Sequence, residues 1–342
     1  MKVLLIVHPE MDHQEAFTFV GLTKLIGEEN VITCPFKKSY YGIGDDDYIL
    51  DDGKKGFTSP YEGILPRKGI PFSLSKIKEI WDTIDLVVMG TVRTYGVRAL
   101  RELKNEIGTR WWQPLIFVEG EDSDRIWWEL VQEFKPSVYF KREYRKDVQI
   151  RYPSSFKFWP PIIPCPFSAI NERIPPLKEN REINVYSVCG HTHEMRTAVT
   201  HKLASMNILN SCIWMDNVFM DSNLGHRDNL LGYYTSLVNS KIGVAVRGHG
   251  MDTLRFWETP ACGALLFTHD NNQIHPNPFE DGKNCVLFKN DLSDFEEKLR
   301  YYLEDENECR KVAANGNSHL LKYHTSEKRA NYILDKTKEL VK

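Results

Sequence analysis

Two series of apolar, β-branched runs, each followed by a stretch with helical spacing, constrain this chain more than any other feature. The first opens with "VLLIV" (Val3–Val7) and "DHQEAFTFVGLTKLIG", whose helical pattern stops at Gly27. It continues through "NVITCPF", "IDLVVMG" (Ile84–Gly90), a helical stretch at Val97–Ile107, "QPLIFVEG", a helical stretch at Asp124–Phe134 and "SVYF". The second starts at "INVYSVCG" and runs through "EMRTAVTHKLASM", "SCIWM", "RDNLLGYYTSLVNS", "KIGVAVRG", "DTLRFWETPACG" and "ALLFT". Continuous apolar strands alternating with helices imply parallel sheets covered on both faces. The Pro-rich, charged "NERIPPLKENRE" (Asn171–Glu182) is the best linker. The expected organisation is a domain at 1–172, a second at 173–324 and a terminal helix at 325–342 that crosses back to the first domain. "SDFEEKLRYYL" opens with Ser293 and Glu296 at capping-box spacing.

The 342 residues suffice for two domains of roughly 100–200 residues each. Apolar residues make up 42% and charged residues 27%, which describes an ordered globular chain. A net charge of −3 gives no global attraction to nucleic acid, so no stable nucleic-acid binding is expected. Seven cysteines, with no CxxC and mostly within apolar runs, read as buried reduced thiols of a cytoplasmic protein. The N-terminal apolar run is too short for a signal peptide, and no run is long enough to span a bilayer. Peripheral membrane association stays open. The polar stretch from Lys37 to Pro71 is long enough to be a functional loop, and its acidic run Asp45–Asp47 reads as solvated.

Ligands of open parallel sheets bind at the carboxyl ends of the strands. Three such ends in the second half stand out. One is "VCGHTHEMR", with Gly190 and His191 before a helix that carries Arg196. Another is "VRGHGMDTLRFWE", in which Arg247, Gly248, His249 and Gly250 follow a strand and Asp252 is placed to cap the next helix. The third is "LLFTHDNNQIHPNPFEDGKN", a loop placed to cover a ligand. Glycines admit a close backbone approach, and N–H groups at a helix start favour an anion. Arg255 and Glu258 lie three apart on one helix face. An Arg at a phosphate with a Glu at a ribose suits a nucleoside diphosphate.

"SKIGVAVRGHGMDTLRFWETPACGALLFT", "PFEDGKNCVLFKNDLSDFEEKLRYYLEDENECRKVAANG" and "YHTSEKRANYIL" resemble the C-terminal half of group 1 glycosyltransferases of the spore-maturation type. The Arg-x-x-Glu-x-x-Ala-Cys-Gly pattern and the later "HT…R" carry the likeness, and "LIFVEGEDSDR" and "VYFKREY" extend it more loosely. The resemblance implies an α/β protein of GT-B fold: two Rossmann-like domains with parallel sheets facing across a cleft, acceptor on the first and nucleotide-sugar donor on the second. It implies a hexosyl- or other glycosyltransferase that needs no metal or further cofactor. Glu258 would bind the donor ribose. Arg255 and the loop Arg247, Gly248, His249 and Gly250 would sit at the diphosphate, and Met251, Asp252, Thr253, Gly190, His191 and Arg196 would complete the donor site. Many members of the family carry a further Glu eight residues before the ribose Glu; here that position is Gly250.

Breaking a sugar–phosphate bond builds negative charge on the leaving diphosphate, which fixed Arg side chains and helix N-termini can stabilise. An inverting reaction also needs a base for the acceptor hydroxyl. Asp12 and His13 after the first strand are candidates, with Glu119, Glu121 and Asp122 as rivals. The acceptor is open among a glycan, a lipid-linked intermediate, a protein and a modified nucleobase. Two other readings are weaker. A catalytically silent GT-B protein would bind nucleotide or sugar without turnover. A metallophosphoesterase would use "GHTH" as a metal motif, but its partner motifs fail: "GDDDY" has the wrong spacing and Gly-Asn-His does not occur.

Overall fold

The computed structural model describes residues 1–9, 12–41, 73–146, 154–155, 157–215 and 230–341. These form two compact units, Met1–Pro166 together with Ser326–Lys342, and Phe167–Thr325.

The first unit is built on a six-stranded parallel sheet. Its strands are β1 (Val3–Ile6), β2 (Val31–Cys34), β3 (Leu86–Met89), β4 (Leu115–Glu119), β5 (Val138–Lys141) and β6 (Ile162–Pro164), in the order β2-β1-β3-β4-β5-β6. Every residue of β1 to β5 is buried, as expected of strands covered on both faces. Leu4, Ile6, Val87, Met89 and Phe117 share a core with Trp81, Leu100 and Phe134. The helices are α1 (His13–Ile26), α2 (Leu74–Ile80), α3 (Thr94–Ile107), α4 (Trp128–Phe134) and, from the end of the chain, α10 (Ser326–Leu340). Helix α1 is buried from Gln14 through Thr23 and packs along α10. The Tyr332 hydroxyl of α10 donates to the Pro164 carbonyl at 3.2 Å.

The second unit carries β7 (Ile183–Cys189), β8 (Cys212–Met215), β9 (Ser240–Ala245), β10 (Leu265–His269) and β11 (Val286–Phe288) in the parallel order β11-β10-β9-β7-β8. Its helices are α5 (Glu194–Ser205), α6 (Leu230–Val238), α7 (Leu254–Ala261), α8 (Phe295–Glu304) and α9 (Glu306–Tyr323). In both sheets the chain runs outward in one direction and then returns past its first strand. The strand order therefore reverses between β1 and β3, and again between β7 and β9. Open α/β sheets bind ligands at such points.

All seven cysteines are buried and none forms a disulfide. Among the described residues, no helix is long and apolar enough to cross a membrane. The acidic run Asp45–Asp47 lies outside the described residues.

Several local expectations need correction. The helix placed at Asp124 begins only at Trp128. The preceding residues turn instead: Ser123 Oγ accepts the Arg125 N–H at 3.1 Å, and the Ser123 carbonyl accepts from Lys141 Nζ. Ser293 does not start a capping box. Helix α8 begins at Phe295 with Asp294 at its N-cap, and Asp294 Oδ1 is committed to the Lys289 N–H at 2.8 Å. Asp252 does not cap α7, whose N-cap is Thr253. Its Oδ1 accepts from the Trp257 indole at 2.7 Å and its Oδ2 from the Phe167 N–H at 2.6 Å, so this buried carboxylate is a structural pin.

Candidate functional site

In the second unit, the loops after β7 and β9 meet at the strand-order reversal. Arg196, on the first turn of α5, lies behind both of them. Its Nε donates to the Arg247 carbonyl at 2.9 Å and its Nη1 to the Gly190 carbonyl at 3.0 Å. A Cβ at Gly248 would lie 2.7 Å from Arg196 Nη2 and 3.1 Å from Thr192 Oγ1, so a side chain there would push the Arg196 guanidinium away from the two loops it holds. The Gly248 N–H closes its own loop on the Gly250 carbonyl at 3.0 Å. His249 is exposed, as is His191 on the β7 side. His193 caps α5, its Nδ1 accepting the Met195 N–H at 3.1 Å, and burial followed by the nearby Arg247 charge lowers its pKa.

The sequence gives little warning of one participant, His269 at the end of β10. Its Nε2 accepts the Arg247 N–H at 3.2 Å, while Nδ1 lies 3.0 Å from Asn290 Oδ1. Acceptance at Nε2 places the proton on Nδ1, facing the Asn290 oxygen. Burial lowers its pKa, which keeps the ring neutral and able to hold this loop.

Polar atoms left without a partner among the described residues gather at the same end of the sheet. Thr192 Oγ1, Arg247 Nε and Arg255 Nε are buried atoms with no hydrogen-bond partner among the described residues. Both guanidiniums are therefore short of an acceptor. Burial acts against the Arg255 charge. The Tyr233 and Tyr186 rings, each 5.8 Å from its guanidinium carbon, outweigh that penalty, and its pKa is raised. Helix α7 has no side-chain cap, which leaves its first N–H groups open toward an anion. Met251 and Thr253 are half-buried beside it.

Glu258 lies one turn beyond Arg255 and is 8% exposed. Its Oε2 accepts from the Tyr233 hydroxyl at 2.7 Å and its Oε1 from the Tyr234 hydroxyl at 2.6 Å. Two adjacent residues of α6 therefore hold the carboxylate from one side.

The first unit presents a different chemistry at its reversal point. Asp12 caps α1: Oδ1 accepts the Glu15 N–H at 3.2 Å, while the buried Oδ2 has no donor among the described residues. His13 opens the helix half-buried. His8, which the sequence pattern does not single out, is buried beside them, its ring 5.4 Å from that of Tyr95. Burial, with help from Arg93 and Lys37, pushes its pKa down to about 4, against a smaller opposing pull from Asp12.

Four cations around this end face carboxylates. Lys37 Nζ meets Glu15 at 2.9 Å with both side chains buried, and Lys141 Nζ meets buried Glu119. Arg93 pairs with Glu121 at 2.8 Å, and Arg142 with Asp122. Burial raises Glu15 and Glu119 to about 7 each, although Lys37 and Lys141 pull the other way. Of the carboxylates proposed as bases, Glu119 is thus enclosed and ion-paired, and Glu121 and Asp122 are held by arginines.

Comparison with known structures decides the architecture. HepE from Anabaena, in complex with UDP and glucose, aligns over 99% of this chain and 100% of its own, with TM-score 0.58 and 8% identity. The chain has the GT-B fold. A glycosyltransferase from Rickettsia africae has the same GT-B architecture over 100% of this chain and 98% of its own, with TM-score 0.56 and 9% identity. The sucrose-phosphate synthase from Thermosynechococcus elongatus does so over 99% of both chains, with TM-score 0.51 and 11% identity. Residues 193–335 match the family model described as "Glycosyl transferase-like". No curated protein matches the sequence.

Proposed function

We propose that this GT-B protein transfers a sugar from a nucleotide-diphosphate donor, bound by the second unit, to a hydroxyl of an acceptor bound by the first. The observation that carries this reading is the set of spare donors at the β7/β9 reversal. Arg247 Nε, Arg255 Nε and Thr192 Oγ1 are buried with no hydrogen-bond partner among the described residues, beside the uncapped start of α7. Buried donors without acceptors are costly, and an anion with several oxygens satisfies all of them. The family match over 193–335 includes Arg247, Arg255 and the start of α7.

In this account Arg247 and Arg255 contact the diphosphate, and Arg196 positions the two loops without touching it. Glu258 takes the ribose hydroxyls through the lone pairs its two tyrosine partners leave open. His191 and His249 are the exposed groups left to reach a phosphate or sugar oxygen. As the sugar–phosphate bond breaks, the two guanidiniums and the α7 N-terminus stabilise the charge gathering on the leaving diphosphate. They supply what a divalent cation would otherwise supply. Asp12 is the base assigned to the acceptor proton, because Oδ1 is held by the helix while Oδ2 has no donor among the described residues.

Turnover of UDP-, GDP- and TDP-sugars, read as release of the nucleoside diphosphate, tests this function. One of them should be turned over by the wild-type chain and not by Arg255→Gln. Binding of a nucleotide sugar without turnover would favour the silent GT-B reading instead.

A further inference from the structure

The second unit holds an open cavity of about 470 Å³, within the range of roughly 300–1,000 Å³ usual for small-molecule sites. It lies away from the loops described above. Its wall includes Arg181, two residues before β7, and Lys241, the second residue of β9, whereas Gly190 and Arg247 lie past the far ends of those strands. Helix α9 supplies an apolar side, with Cys309 and Ala313 buried and Ala314 exposed. Leu177 faces the same space while 49% exposed, and a Cβ at Gly263 would lie 3.3 Å from its Cδ1. A leucine so exposed at a cavity gains from being covered.

The charges around this cavity do not balance. Lys178, Arg181, Lys241 and Arg310 line it against Glu179 and Glu306, four cations to two carboxylates. Glu306 serves two of the cations at once, Arg310 at 2.9 Å and Lys241 at 3.5 Å. Arg181 donates to neutral carbonyls, Ser240 at 2.9 Å and Cys262 at 3.0 Å, and Lys178 to the neutral amide oxygen of Asn239 at 3.3 Å. Those bonds leave the positive charge uncancelled. A cleft with one sign in excess concentrates the field on a ligand of the other sign. We infer that this cavity binds a small organic anion, its acidic group toward Lys178, Lys241 and Arg310 and its apolar body against Leu177, Ala313 and Ala314. The site is separate from the residues assigned to glycosyl transfer and does not depend on that reading.

Saturation-transfer NMR on the full chain tests this with four probes. Phenylphosphonate, benzyl alcohol and benzylamine share a ring and differ in charge, and methylphosphonate keeps the anion without the ring. The proteins are wild type, Lys178→Glu, which reverses a charge at an exposed position, and Ala314→Trp, which fills the cavity from an exposed position on α9. Phenylphosphonate should bind the wild type more tightly than the other three probes. Its affinity should fall about tenfold or more in both variants, through like-charge repulsion in one and lost space in the other. If Ala314→Trp lowers the melting temperature, Lys178→Glu alone decides. No binding of phenylphosphonate to the wild type, equal binding to all three proteins, or a preference for benzylamine or benzyl alcohol would overturn the inference. Methylphosphonate binding as tightly as phenylphosphonate would overturn the apolar half of it. Phenylphosphonate binding that survives both variants and is lost in Arg255→Gln would place the anion at the β7/β9 reversal and overturn the cavity assignment.

Discussion

The Arg196 guanidinium donates to the backbone carbonyl of Arg247 across 2.9 Å, and its other arm reaches Gly190 at 3.0 Å. One side chain thus ties together the two loops that flank the strand-order reversal of the second unit. A lysine has one ammonium and cannot span two carbonyls in this fixed fork. Arg196→Lys should therefore lose nucleotide affinity about as severely as Arg196→Met, each by roughly tenfold. A direct phosphate contact would instead let the lysine variant keep most of the wild-type affinity. Titration calorimetry with UDP, GDP and TDP separates these outcomes.

Glu258 is held by the Tyr233 and Tyr234 hydroxyls, one on each oxygen, so in the proposed site a ribose shares the carboxylate with them or competes for it. Tyr233→Phe frees Oε2 and should leave nucleotide affinity equal or tighter while lowering the melting temperature. Glu258→Gln should weaken nucleotide binding about tenfold, since amide nitrogen replaces an acceptor. A Glu258→Gln variant that loses stability but binds nucleotide as well as wild type would make the carboxylate purely structural.

His8 gives the fold a definite pH response. Its folded pKa is near 4 against 6.5 for a free histidine. Between these values the unfolded chain binds a proton that the folded chain refuses, so stability falls as pH drops from about 6.5 to 4. The loss attributable to His8 is at most about 3 kcal/mol. Urea unfolding of His8→Asn at pH 7 and pH 4.5 should show a shallower drop than wild type, and an identical drop would refute the assignment. Glu15 and Glu119 act in the opposite sense. Their folded pKa values lie near 7, above the ordinary 4.5, so their contribution is full below 4.5 and lost as pH rises through 7.

If Arg247, Arg255 and the start of α7 carry the leaving-group charge, a chelator should leave turnover unchanged, and added magnesium should not raise it. Turnover abolished by EDTA and restored by a divalent cation would return the metal to the mechanism. The same assay, with a generic phosphodiester in place of a nucleotide sugar, tests the metallophosphoesterase reading.

The strands of both sheets could be read because parallel, doubly covered strands must be continuously apolar, and "VLLIV", "LVVM" and "LIFVE" are. The elements that escape this reading have physical reasons to do so. Strand β6 is three residues long and ends in Pro164, which an edge strand tolerates and a sequence pattern reads as linker. Helix α9 contains Asn315, Gly316 and Asn317, all poor helix formers. Packing overrides them: Gly316 lets the helix approach the Asn284 carbonyl to 2.6 Å of where a Cβ would lie. In the site, glycine-rich loops and the Arg255–Glu258 spacing were visible. The Glu15–Lys37 pair was not, because β1–β2 pairing brings it together from separate segments. One clue was present. Gln14 and Glu15 are polar residues at the start of a helix otherwise rich in apolar side chains.

In the proposed function, the carboxyl end of the second unit's sheet binds a nucleoside diphosphate through Arg247 and Arg255. Titration calorimetry of UDP, GDP and TDP against the wild type, Arg247→Gln and Arg255→Gln measures it directly. At least one diphosphate should bind the wild type, and each variant should lose about 1.5–3 kcal/mol, the usual contribution of a charge-assisted hydrogen bond. No binding of any of the three, or binding unchanged in both variants, would contradict the account.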